Sequence, residues 1–253
     1  VTVAVIREIA PVLRADQLIM DVTSLKVEPV RAMLDSLAEV RGLHPMCAPP
    51  RDGSWRGQTV ADCPVRLKQW RPWSDEVLRL SGAKLKVCTP EQHDHHMAIV
   101  QGLTHATELV MAAAIRKLGV NVRESLEYTS PLYRIALSLI GRILKQKPEL
   151  YAGIQMLNPQ VAVVLQTAEN ELGRFQEIVE AGDEPQFIAD FLASREHFGA
   201  EVVQENFDLF ELLNQLLVDH GSEDRVALDV PQQQNQPGVL HRITGLFLVA
   251  GIN

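Results

Sequence analysis

The chain has 253 residues with a formal net charge of -8, 46% hydrophobic and 22% charged residues, a length with room for more than one domain and a sizeable core. An acidic balance without a Lys/Arg cluster excludes a phosphate-reading nucleic-acid protein, and no apolar run is read as approaching the roughly 20 residues that span a bilayer, so no membrane segment is expected. Cys47, Cys63 and Cys88 form neither a CxxC nor an even-numbered framework, which points to a reducing, cytoplasmic location.

The opening "VTVAVIREIAPVL" starts inside an amphipathic pattern, with Val5, Ile6, Ile9, Val12 and Leu13 at helical spacing and Val1 in place of Met. It reads as a chain whose natural beginning is missing and that carries no targeting segment. "QLIMDVTS" (17–24) is a short apolar run ending in Asp and Ser, the pattern of a buried parallel strand. Pro29 then opens a helical period through "VRAMLDSLAEV". In "GLHPMCAPP" (42–50), His44 stands between a strand-like run and a proline-rich loop.

"QTVADCP" is predicted as a strand, "DEVLRLSGA" as a helix closed by Gly82, and "KLKVCT" as a last strand before Pro90. Helix, strand, turn, helix is the grammar of a parallel α/β sheet. Between about residues 91 and 220 only long helical patterns follow, such as Leu165, Ala168, Leu172, Phe175, Val179 and Phe187, Phe191, Phe198. Pro131, Pro148 and Pro159 sit at predicted helix starts. Residues 225–253 revert to strand, polar turn and a helix near Pro237, too little to bury a core alone. The predicted domains are therefore 1–90, 91–222 and 223–253.

Three stretches could carry chemistry. In "PLYRIALSLIGR" Arg134 and Arg142 lie eight positions apart with Ser138 between them, about 80° around a helix. They either pair with acids or face solvent, or they form a guanidinium site for a carboxylate. "EQHDHHMAIVQGLTH" crowds His93, His95, His96 and His105 near one helix, with Gln101 a turn before His105. No two of these histidines have the i, i+4 spacing of a helical zinc pair, so no metal is expected. Asp94 reads as a first-turn acid of its own helix, and His105 as lining a pocket or bonded in the core. Ser24 and Lys26 end the strand "LIMDVTS", where open α/β sheets bind ligands, but a capping serine and a solvated lysine would look the same.

Taken in order, "DVTSLK", "GLHPM", "EQHDHHMAIVQGLTH" and "SPLYRIALSLIGR" resemble the prephenate/arogenate dehydrogenase family of tyrosine biosynthesis, from Val1 to about residue 220. "QPGVLHRITGLFLVAGIN" resembles the first strand and helix of an ACT domain. The resemblance implies the carboxyl-terminal half of a Rossmann-type domain, a helical dimerisation domain like that of 6-phosphogluconate dehydrogenase, and a partial ACT-like α+β tail. It implies oxidative decarboxylation of prephenate or arogenate with NAD or NADP, in a cytoplasmic homodimer whose ACT module could sense tyrosine.

On the same ground His44 is expected to take the substrate's hydroxyl proton as hydride departs, and a neutral imidazole suits that task near pH 7. The resemblance places Ser24 beside it as a catalytic and cofactor-side residue, with Pro45 also at the cofactor. Lys26, Gln101, His105, Arg134 and Arg142 are assigned to the substrate, Arg142 gripping a carboxylate. Two departures stand out: Ala48 replaces the family's usual glycine in the His-Pro-Met loop, and no G-x-G-x-x-G precedes "LIMDVTS". A non-catalytic binding module lacking the cofactor half, and a dehydrogenase of an amino-substituted prephenate, are the rival expectations.

Overall fold

The computed structural model describes residues 2–48 and 54–221; the strand and helix expected over 225–253, and the ACT-like module with them, lie outside the described residues. Four strands form one sheet in the order β1-β2-β3-β4: β1 (Leu18–Asp21), β2 (Glu39–Pro45), β3 (Thr59–Arg66) and β4 (Lys84–Val87). Helix α1 (Thr2–Ile9) precedes β1, α2 (Val27–Leu34) joins β1 to β2, and α3 (Arg71–Leu80) joins β3 to β4. Gly82 follows α3 at φ +70°, the left-handed position that ends a helix as the sequence predicts.

The expectation of an all-parallel sheet is corrected. β1 runs parallel to β2 and β3 to β4, but β2 and β3 are antiparallel. Parallel neighbours need a crossover, usually a helix, and the segment between β2 and β3 has no helix among its described residues. The helix expected through "VRAMLDSLAEV" stops at Leu34, and β2 begins at Glu39, so that His44 lies within a strand, paired with Ala61.

β2 is buried almost throughout, and its alternation sorts the two faces of the sheet. Val40 joins Ile6, Ile19, Val30 and Met33 in the core under α1 and α2. Leu43 packs with Val60 and Leu78 of α3 on the other side. Arg41, on the α3 face, is buried in a two-pronged ion pair with Asp62 (2.8 and 2.7 Å) and also reaches Ser74 (2.7 Å) and Asp75 (2.6 Å). His44 shares parity with Val40 and so faces the side of α2.

The segment after β4 is helical. α4 (Pro90–Met97), a π turn over Ala98–Leu103 and α5 (Thr104–Lys117) form one run. α6 (Val122–Ser125), α7 (Pro131–Leu144), α8 (Pro148–Met156), α9 (Pro159–Ala181), α10 (Glu184–Phe198) and α11 (Ala200–Gly221) follow. Proline occupies the first turn of α7, α8 and α9 as predicted. Contrary to expectation, one run among the described residues, Pro90–Lys117, is long and apolar enough to cross a membrane. In this fold it carries the buried polar residues His93 and Asp94 and packs on α7 and α9.

By its contacts the chain divides into two units, one ending at Ala193 and one starting at Ser194. The first holds the sheet and all the residues discussed below. In the second, α11 leaves Phe207, Leu212 and Leu216 exposed. The three cysteines are free thiols, yet adjacent strands bring Cys63 and Cys88 Sγ to 3.8 Å, a proximity that their separation in sequence conceals.

Candidate active site

His44 is the centre of a buried polar array between the sheet and α4. Its Nδ1 lies 2.9 Å from Nε2 of His93, and its Nε2 lies 3.3 Å from the amide nitrogen of Gln101. His44 is 4% exposed. Burial, then the neighbouring His93 and Lys26, pull its pKa down from 6.5 to about 3, with Asp94 acting in the opposite sense. The imidazole is therefore neutral throughout the physiological range.

The π turn explains how one helix offers two partners to His44. Residues 93 and 101 would stand about 80° apart on a regular α-helix. The wider i→i+5 turn over Ala98–Leu103 takes up most of that offset and brings both to the same side. Gly102 makes the turn possible where it meets α9: a Cβ there would lie 2.7 Å from Val161 Cγ2, and its carbonyl accepts a bond from Gln155 Nε2 at 3.0 Å.

Asp94 does not serve as the first-turn acid of its own helix. Thr89 and Gln92 cap α4 reciprocally, while the Asp94 carboxylate accepts the backbone N–H groups of Lys26 (2.8 Å) and Val27 (2.9 Å) at the start of α2. Its Oδ1 also meets His93 Nδ1 at 2.7 Å. The Asp94 carbonyl accepts from Asn158 Nδ2 at 2.7 Å, and Asn158 Oδ1 caps α9. One aspartate thus ties the sheet domain's α2 to the helices.

Lys26, expected beside the substrate, is corrected to an internal position. Its ammonium is fully buried, bonded to the Asp21 carboxylate and, at 2.7 Å, to the Leu43 carbonyl. Burial lowers its pKa despite the pull of Asp21. Ser24 sits half-buried in the bend between β1 and α2, and no hydrogen bond to its hydroxyl is found among the described residues. Pro45 ends β2, paired with Val60, and Ala48 is exposed.

One helical turn beyond Gln101, half-buried His105 packs its ring edgewise on Tyr151, with centroids 5.0 Å apart. Burial and then the charge of Arg142 lower its pKa. Arg142 is exposed and has no ion-pair partner among the described residues. Three buried atoms near this helix lack partners there as well: Gln101 Oε1, His105 Nδ1 and Glu108 Oε2. Buried polar atoms normally find a partner, so these are suited to a polar ligand. Arg134 is not brought to this group. It lines a separate cleft of about 780 Å³ between α5 and α7, with Arg116, Leu126 and Ser138.

Two residues with central positions here, His93 and Asp94, were not assigned a role in the site from the sequence. The only signal is the His-Asp pair itself, since the partners lie 49 and 68 residues away.

Two family models match consecutive stretches: the nucleotide-binding domain of prephenate dehydrogenase over residues 1–86 and its dimerization domain over 89–193. The chain belongs to the prephenate dehydrogenase family. It is 39% identical over 207 residues to the probable arogenate/prephenate dehydrogenase of Methanocaldococcus jannaschii, covering 79% of this chain and 46% of that one. It is 33% identical to the T-protein of Enterobacter agglomerans, covering 75% and 51%. To the 4-amino-4-deoxyprephenate dehydrogenase of Streptomyces pristinaespiralis it is 30% identical, covering 77% and 67%. The chain thus spans about half the length of the first two relatives.

The family fold is shared with solved structures. The prephenate dehydrogenase of A. aeolicus in complex with hydroxyphenyl propionate and NAD+ superposes with a TM-score of 0.59 at 20% identity, covering 79% of this chain and 74% of that one. Synechocystis arogenate dehydrogenase gives 0.57 at 18%, covering 78% and 74%.

Proposed function

We propose that this family member oxidatively decarboxylates prephenate or arogenate with NAD or NADP, and that His44 is the base. The observation that carries this reading is a buried, neutral imidazole held on both ring nitrogens, whose contact Gln101 stands one helical turn before half-buried His105 and the charge of Arg142, an arginine with no ion-pair partner among the described residues. Removing hydride from an alcohol carbon builds positive charge, which is relieved when a positioned base takes the hydroxyl proton. His44 Nε2 accepts that proton, the Gln101 amide marks where the hydroxyl binds, and Arg142 holds a carboxylate.

The residues present fit the nicotinamide end of a cofactor. β1 and β2 are parallel, so their carboxyl ends at Asp21 and Pro45 share one edge of the sheet, where the Ser24 hydroxyl is without a partner among the described residues. When bound, nicotinamide supplies the hydride acceptor. Ser24 and Pro45 would hold it at this edge of the sheet. On this reading the sheet is the later half of a Rossmann-type domain and the helices its 6-phosphogluconate-dehydrogenase-like companion. A homodimer is supported by exposed Leu172, Phe175, Phe187 and Phe191 on α9 and α10, together with the dimerization-domain match.

The similarity to a 4-amino-4-deoxyprephenate dehydrogenase supports a second reading in which the ring substituent is an amine. Steady-state assays of the full-length protein with prephenate, arogenate and the amino-substituted compound, each with NAD and NADP, separate these. His44→Asn should lower kcat by about 10²- to 10⁴-fold, and Arg142→Ala should mainly raise KM. Unchanged turnover in the first variant would sink the catalytic assignment, and an unchanged KM in the second its carboxylate role.

A further inference from the structure

We propose that Asp94 and His93 form a relay that fixes His44 in the tautomer protonated at Nδ1, so that Nε2 is the basic nitrogen. The inference rests on His44 being the proton acceptor and adds two positioning residues to it.

The polarity of the chain of contacts is set at Asp94. Its carboxylate accepts the N–H groups of Lys26 and Val27, at the positive end of α2. As an acceptor it requires His93 Nδ1, 2.7 Å from Oδ1, to carry the proton. A neutral His93 then has its lone pair on Nε2. That lone pair faces His44 Nδ1 at 2.9 Å, so His44 Nδ1 must donate. The last nitrogen of the series, His44 Nε2, is left unprotonated.

The other end of the series agrees with this direction. His44 Nε2 faces the Gln101 amide nitrogen at 3.3 Å, a group that can only donate. If the relay ran the opposite way, with His93 Nε2 donating to His44 Nδ1, His44 Nε2 would carry a hydrogen and two donors would confront each other in a buried site. Donor and acceptor therefore alternate without conflict from Asp94 to Gln101 in one direction only.

The relay also matters once a proton arrives. An imidazolium at His44 keeps its Nδ1–H bond to His93, and the carboxylate charge of Asp94 lies at the far side of that ring. This is the logic by which an aspartate orients and stabilises a catalytic histidine, with a second imidazole inserted between them. Bringing these groups together depends on the pairing of β2 with α4 across 49 residues.

The test uses the full-length protein with ¹⁵N-labelled histidine, in which ring nitrogen shifts report protonation site, combined with steady-state kinetics. Wild-type His44 should be protonated at Nδ1. His93→Gln can accept from His44 through its carbonyl and donate to Asp94 through its amide; it should keep that tautomer, with KM within about 2-fold and kcat within about 10-fold of wild type. His93→Leu fills the space without either bond; it should lose the single tautomer and fall further in kcat. Asp94→Asn also loosens α2, so the two His93 variants decide. An Nε2-protonated His44 in wild type, or equal losses in the Gln and Leu variants, would overturn the relay. Turnover with Nε2-protonated His44 sinks the relay alone, whereas an Nδ1-protonated His44 without turnover on any substrate sinks the enzymatic reading alone.

Discussion

Acidification should destabilise the fold through His44, by an amount that the burial of the ring sets. In the folded chain its pKa is pulled from 6.5 to about 3, by burial first and then by His93 and Lys26. The unfolded chain therefore binds a proton that the folded chain refuses. Stability attributable to this group is complete above pH 6.5 and is lost as pH falls from 6.5 towards 3. The whole window corresponds to roughly 5 kcal/mol, at 1.36 kcal/mol for each pH interval of one. Between pH 7 and pH 4.5 about 2.5 kcal/mol of it should disappear.

Other groups titrate over the same range, so the contrast to measure is wild type against His44→Gln, which removes the titrating ring and leaves the rest. Urea unfolding of both at pH 7 and pH 4.5 yields the difference of differences. The expected result is that wild type loses about 2.5 kcal/mol more than the variant on acidification. A pH-independent gap between the two, within about 0.5 kcal/mol, would mean that His44 ionises as a solvated histidine does. The reasoning that makes it a neutral base through desolvation would then be wrong.

Other changes test the scaffold around the site. Lys26→Met removes the fully buried ammonium and strands the Asp21 carboxylate; it should cost about 3 to 5 kcal/mol in urea unfolding, much of it recovered by adding Asp21→Asn. Gly102→Ala forces a Cβ to within 2.7 Å of Val161 Cγ2; it should lose about 1 to 3 kcal/mol, with Val161→Ala relieving part of the loss in the double variant.

Much of the local structure was legible in the chain itself. Apolar spacing and proline placement are read over a few residues, which is why β1, β3, β4, the end of α3 at Gly82 and the starts of α7, α8 and α9 all fall close to where the pattern puts them. Motif order in the sequence was enough to point to the family that two domain models then matched. His44 could be singled out there too, as a histidine at the end of an apolar run.

What surrounds His44 was decided only by tertiary structure. The reversal of β3 against β2, the burial of Lys26 against Asp21, the meeting of Cys63 with Cys88 and the diversion of Arg134 into another cleft leave no periodic trace. Asp94 shows the reason most directly. The sequence reads it as an acid in the first turn of its own helix, favourable to that helix's dipole, whereas α4 starts at Pro90 and its first-turn acid is Glu91. In space the Asp94 carboxylate instead satisfies the first amides of α2, 67 and 68 residues away, and meets His93, the neighbour of His44. Composition and spacing determine which side chains can donate or accept. Which donor meets which acceptor depends on the packing of sheet against helices.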